Sequence, residues 1–159
     1  MEELPKVGIF GSGPLVNVLM PHIRKAGFQV IAIWSENQED ADEAAHRLDI
    51  GFSTCNMDDV LLHKEIGLLM VLCSPVNHAQ IAVKALGIAK HVYVHPPCSI
   101  SSSQVLRMVQ SAAYYPNLMA VVGMGLRSLP AVEIMKRQLE QNYVGKSIVH
   151  CDVRLNSPW

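Results

Sequence analysis

The chain has 159 residues, half of them hydrophobic and 17% charged, and its 13 lysines and arginines against 14 aspartates and glutamates give a formal net charge of −1. That length suits one domain able to bury about 70% of the surface its unfolded form exposes, and the composition excludes disorder as the dominant state. The absence of a basic excess argues against nucleic acid as a partner, and no apolar run reaches the roughly 18 residues that a membrane-crossing helix needs.

The predicted elements alternate strand and helix. Lys6 to Phe10 reads as a strand, Gly11-Ser12-Gly13-Pro14 as a turn, and Val16, Leu19, Met20 and Ile23 recur at helical spacing up to Gly27. Phe28 to Trp34 is a second strand, and Asn37 to Leu48 a helix with Ala41, Ala44, Ala45 and Leu48 on one side. Phe52-Ser53-Thr54 is a short third strand, and Met57 to Leu62 a brief helix with Asn56 or Asp58 as its cap. Leu68 to Cys73, the most hydrophobic run, is expected to be a parallel strand buried on both faces. Then come a helix from Asn77 to Gly87, a strand from His91 to His95 stopped by Pro96-Pro97, and a helix from Gln104 to Tyr115 set up by Ser101-Ser102-Ser103. A strand from Leu118 to Val122, a helix from Pro130 to Asn142 ended by Gly145, and a strand over Ile148 to Val153 complete the chain.

This order predicts an α/β fold with a doubly wound, Rossmann-like parallel sheet. Residues 1–125 are expected to form a dinucleotide-binding domain. Residues 126–159 are expected to hold a connecting helix and the first strand of a missing second domain. The acidic start Met1-Glu2-Glu3 does not suit a secretory signal. Cys55, Cys73, Cys98 and Cys151 lie far apart, which fits free thiols in a reducing, cytoplasmic compartment.

On such a sheet a ligand sits beyond the carboxyl ends of the strands. Gly11, Ser12 and Gly13 follow the first strand, where glycines let a pyrophosphate approach a helix N-terminus. The fingerprint's third small residue is replaced by Val16, and Pro14 removes one N–H, so a tight structural turn is the competing reading. Ser35 and Glu36 end the second strand, where an acid accepts from the ribose hydroxyls of NAD and repels the 2′-phosphate of NADP. Glu36 can equally be one of the acids that open the next helix. Ser74, Pro75, Asn77 and His78 follow the fourth strand, beside the expected nicotinamide ribose, although Asn77 can simply cap its helix. His91, His95 and Cys98 form no metal site, because residues four apart on a strand lie about 13 Å from one another.

The stretches Val7-Gly8-Ile9-Phe10-Gly11, Gln80 to Gly87, Lys90-His91-Val92, Tyr114 to Met119, Leu126 to Ala131 and Tyr143-Val144-Gly145 keep a familiar order and spacing. Together they resemble the N-terminal Rossmann domain of the glucose-fructose oxidoreductase / inositol dehydrogenase family, and in particular its animal glucose-fructose oxidoreductase domain-containing branch. The resemblance implies a two-domain oxidoreductase that uses NAD or NADP on a sugar or polyol, commonly as a homo-oligomer. It also implies a Glu-Lys-Pro run at the end of the fifth strand, whose lysine assists hydride transfer. Here His95-Pro96-Pro97 stands in that place, so Pro96 replaces the lysine and His95 is the one titratable group left for a catalytic role. Pro97 matches the family's proline, with a cis bond before it as one possibility. Arg127 matches the arginine of a family turn. A non-catalytic scaffold used for binding or self-assembly is the alternative to an active domain.

Overall fold

Strand and helix alternate along the chain. The computed structural model describes residues 4–143 and 145. Within the unit that ends at Gly123, the order is β1 (Lys6–Phe10), α1 (Pro14–Lys25), β2 (Val30–Trp34), α2 (Gln38–Leu48), β3 (Ser53–Thr54) and α3 (Met57–Leu61). It continues with β4 (Ile66–Val71), α4 (Pro75–Gly87), β5 (His91–Val94), α5 (Ser102–Tyr114) and β6 (Ala120–Val122). The strands form one six-stranded sheet in the order β3-β2-β1-β4-β5-β6, and every neighbouring pair is parallel. The chain starts in the middle, works outward to one edge, then returns and works outward to the other. The change of direction lies between β1 and β4, where a crevice opens at the carboxyl ends.

Two apolar layers hold helices to the faces of the sheet. On one side Val7, Ile9 and Ile33 pack with Val16, Met20 and Ile23 of α1 and Ala44 and Ala45 of α2. On the other, Phe10, Leu69 and Val71 pack with Val60 and Leu61 of α3 and Ile81, Ala82 and Ala85 of α4. Asn56 caps α3 through its side chain, which accepts from the N–H of Asp58, and Ser101 caps α5 by accepting from the N–H of Gln104.

Several expectations need correction. Most strands are shorter than their apolar runs, because tertiary pairing ends before hydrophobicity does; β2 begins at Val30, and Cys73 lies beyond β4. β4 is not buried on both faces: Ile66, Leu69 and Val71 are buried, whereas Leu68 and Met70 are partly exposed along an apolar groove shared with Leu19 and Phe28. Ser74, not Asn77, is the cap residue of α4, since Pro75 already occupies the helix's first turn.

The second unit starts at Met124. It contains a 3-10 turn, Gly125–Ser128, which carries an exposed Arg127, and α6 (Pro130–Glu140), none of whose residues is buried. The strand expected over Ile148 to Val153, and Cys151 within it, lie outside the described residues. Among the described residues no helix is long and apolar enough to cross a membrane, and no group of three or more metal-ligating side chains occurs.

Candidate functional site

At the carboxyl edge of the sheet Gly11 takes a positive φ of +129°. A Cβ there would stand 3.0 Å from the backbone nitrogen of Cys73 and from Leu72 carbonyl atoms, so the end of β1 approaches the end of β4 too closely for any side chain. Gly11 N–H donates to the carbonyl of Trp34, 2.8 Å away, which ties the same turn to β2. Gly13 is different. It is the N-cap residue of α1, with an ordinary φ of −72°, and a Cβ there would meet nothing within 4 Å. Among the described residues the space over the start of α1 is therefore open, and no side chain caps that N-terminus. First-turn N–H groups without intrahelical partners and the positive end of the helix dipole face it.

The two irregular residues of the glycine motif leave this opening clear. Val16 is fully buried in the layer beneath the sheet. Pro14 occupies the first turn of α1, where a missing N–H costs the helix nothing.

The opening leads into a cleft of about 320 Å³. Gly11, Ser12 and Gly13 form its floor, Trp34, Ser35, Glu36 and Asn37 its β2 side, and Leu72, Cys73 and Ser74 its β4 side, with Asp40 of α2 at the rim. Ser35 is 6% exposed, and its hydroxyl lies 2.8 Å from that of Ser12, which pins the glycine loop to the end of β2. Glu36 reaches across the mouth and accepts from the Asn77 side-chain amide at 3.1 Å. Burial pushes the Cys73 thiol up to about 11, with the negative charge of Glu36 adding to the effect.

Six of the residues singled out from the sequence thus meet here: Gly11, Ser12, Gly13, Ser35, Glu36 and Ser74. Pro75 starts α4 next to them, and Asn77 joins through Glu36. His78 does not face the cleft. It is 1% exposed, with one ring nitrogen 3.0 Å from the carbonyl of Pro97 and the other 2.9 Å from that of Cys73. His95 is not among the cleft-lining residues either. It follows β5, its backbone N–H donates to Val71, and its Nδ1 is buried without a hydrogen-bond partner among the described residues. The bond between Pro96 and Pro97 is cis. Sequence reasoning missed Asp40 and Arg47. The guanidinium of Arg47 lies 3.1 Å from the Asn17 side-chain oxygen and 3.4 Å from the carbonyl of Ser12, and so braces the glycine loop from behind. Nothing in the local sequence ties Arg47 to a loop 35 residues earlier.

An open helix N-terminus behind a glycine loop at the switch point, flanked by a carboxylate at the end of β2, is a fitting seat for a dinucleotide. Comparison with known proteins agrees. A family model, Gfo/Idh/MocA, described as an oxidoreductase family with an NAD-binding Rossmann fold, matches residues 5–125. The chain belongs to this oxidoreductase family. It is 46% identical over 156 residues to glucose-fructose oxidoreductase domain-containing protein 2 of Xenopus tropicalis, covering 98% of this chain and 40% of that protein. The human protein 2 is 41% identical over 157 residues, with 99% and 40% covered, and the mouse protein 1 is 40% identical over 156 residues, with 97% and 39% covered. The chain therefore spans about two fifths of the length of these relatives.

Among solved structures, scyllo-inositol dehydrogenase from Lactobacillus casei, with bound NAD(H) and scyllo-inositol, superposes with a TM-score of 0.81 at 23% identity, over 89% of this chain and 42% of that one. Levoglucosan dehydrogenase in complex with NADH gives 0.76 at 24% identity, over 89% and 40%. At that identity the likeness is one of fold.

Proposed function

We propose that the cleft over Gly11–Gly13 holds a nicotinamide dinucleotide, and that the chain is the coenzyme-binding part of an oxidoreductase acting on a sugar or polyol. The observation that carries this reading is the uncapped N-terminus of α1 behind a Gly13 whose Cβ position is empty. Gly11, Ser12 and Gly13 would bring backbone N–H groups to the pyrophosphate. Glu36 would accept from the adenosine ribose, and Ser74, Pro75 and Asn77 would flank the nicotinamide ribose. Two carboxylates, Glu36 and Asp40, and no lysine or arginine stand among the described lining residues, which favours NAD over NADP. Thermal melting with NAD, NADH, NADP and NADPH tests the reading; NADH is expected to raise the melting temperature more than NADPH.

The bound coenzyme would supply the hydride acceptor. On the protein side, Pro96 cannot polarise a substrate oxygen or move its proton, so His95 is the remaining candidate at the end of β5. Its buried Nδ1, without a hydrogen-bond partner among the described residues, is the observation in its favour. The absence of the lysine favours the second reading, a pseudo-oxidoreductase scaffold. We therefore expect no NADH formation at 340 nm from the 159-residue chain on a panel of sugars and polyols. A rate abolished by His95→Ala would instead make the chain an enzyme with a histidine in the lysine's place.

We further propose homo-oligomer formation and a cytoplasmic setting. The first is supported by exposed apolar side chains such as Leu126, Ile134 and Met135, the second by the free thiols of Cys55, Cys73 and Cys98.

A further inference from the structure

His78 is 1% exposed, and both of its ring nitrogens meet backbone carbonyls in loops at the carboxyl edge of the sheet. One carbonyl belongs to Cys73, in the β4 wall of the cleft; the other belongs to Pro97, two residues after His95. The strand ladder joins β4 to β5 as far as the bond from His95 N–H to the carbonyl of Val71. Beyond that point, the side chain that makes polar contact with both loops among the described residues is that of His78.

We propose that His78 is a positioning residue that couples coenzyme in the cleft to the loop carrying His95. The inference rests on the coenzyme reading of the cleft. A buried polar ring needs a partner, and a hydrocarbon in its place would leave the carbonyl served by the ring N–H without a donor. The pairing has two arrangements. A neutral imidazole owns one N–H, so it donates to one carbonyl and turns a lone pair toward the other; a ring with both nitrogens protonated donates to both. Whatever shifts Cys73 therefore shifts the balance of bonds on Pro97. A dinucleotide seated against Cys73 and Ser74 acts at one end of this brace, and the loop from His95 to Cys98 responds at the other. The site for coenzyme and the group left for chemistry thus lie on different strands but share one side chain.

Amide hydrogen exchange of the whole chain, with and without saturating NADH, tests this in the native sequence and in His78→Gln. In the native chain NADH is expected to slow exchange both in 73–78 and in 98–103. In His78→Gln it is expected to slow the first segment and to lose its effect on the second. A merely structural histidine would lower stability while leaving the two segments responding alike in both proteins, and that result would overturn the proposal. Protection of 73–78 alone in the native chain would also overturn it while leaving the coenzyme reading intact. No NADH binding and no protection in either segment would overturn both. Should the variant fail to fold, the ring ¹⁵N signals of His78 in the native chain decide: they are expected to move on NADH saturation, and unmoved signals contradict the coupling.

Discussion

Gly11 and Gly13 look alike in the sequence and do opposite jobs. Gly11 is needed by the fold, because its φ of +129° and the 3.0 Å approach to Cys73 leave no place for a Cβ. Gly13 leaves empty the space over the start of α1 that the proposed dinucleotide would fill. Gly11→Ala is therefore expected to destabilise the chain by about 1–3 kcal/mol in chemical denaturation. Gly13→Ala should cost about 1 kcal/mol or less and weaken NADH binding instead. Cys73 offers a second test at this scale. Its thiol titrates near 11 rather than 9.0 because burial disfavours the thiolate. The folded state thus keeps a proton that the unfolded chain gives up, so this contribution is full below about pH 9 and is lost as pH rises toward 11. Denaturation midpoints should fall over that window, and Cys73→Ala should flatten the fall. For the same reason iodoacetamide at pH 8 should modify the exposed Cys55 before Cys73, as read by peptide mass spectrometry. The places of the glycines and of Ser35–Glu36 at the cleft were legible in the sequence because they are set by position along one strand–turn–helix unit. Asp40, Arg47 and the burial of His78 were not, because each depends on a neighbour brought close only by folding.

At the scale of elements, every strand and helix through α6 was visible as an alternation of apolar periods. The ends were less so, since capping competes among adjacent polar residues. Asn56 beat Asp58 at α3 because its side chain reaches the N–H of Asp58 at 3.2 Å. Asn77 lost the cap of α4 to Ser74 because Pro75 fits the first turn, and the freed amide reaches Glu36 instead. Asn56→Ala is expected to lower stability by about 1 kcal/mol in urea titration, with little effect on NADH affinity, since α3 does not line the cleft. The half-exposure of Leu68 and Met70 could not be read from their strand, because hydrophobicity states what a strand can bury, not what arrives to cover it.

For the whole molecule, alternating strands and helices already pointed to a doubly wound parallel sheet, and the all-parallel order β3-β2-β1-β4-β5-β6 fulfils it. The proposed self-association rests on the apolar groove bordered by Leu68, Met70 and Tyr93 and on exposed apolar side chains of α6 such as Ile134. Sedimentation velocity is expected to show a weight-average mass rising with concentration; a constant 17.5 kDa species would oppose this. The claim on which the rest stands is that a dinucleotide seats on the N-terminus of α1. The most direct measurement is NADH-dependent thermal stabilisation of the native chain beside Gly13→Leu. The expected result is a rise in melting temperature for the native chain that Gly13→Leu abolishes while remaining folded without ligand. No rise in the native chain, or an equal rise in both, would contradict it.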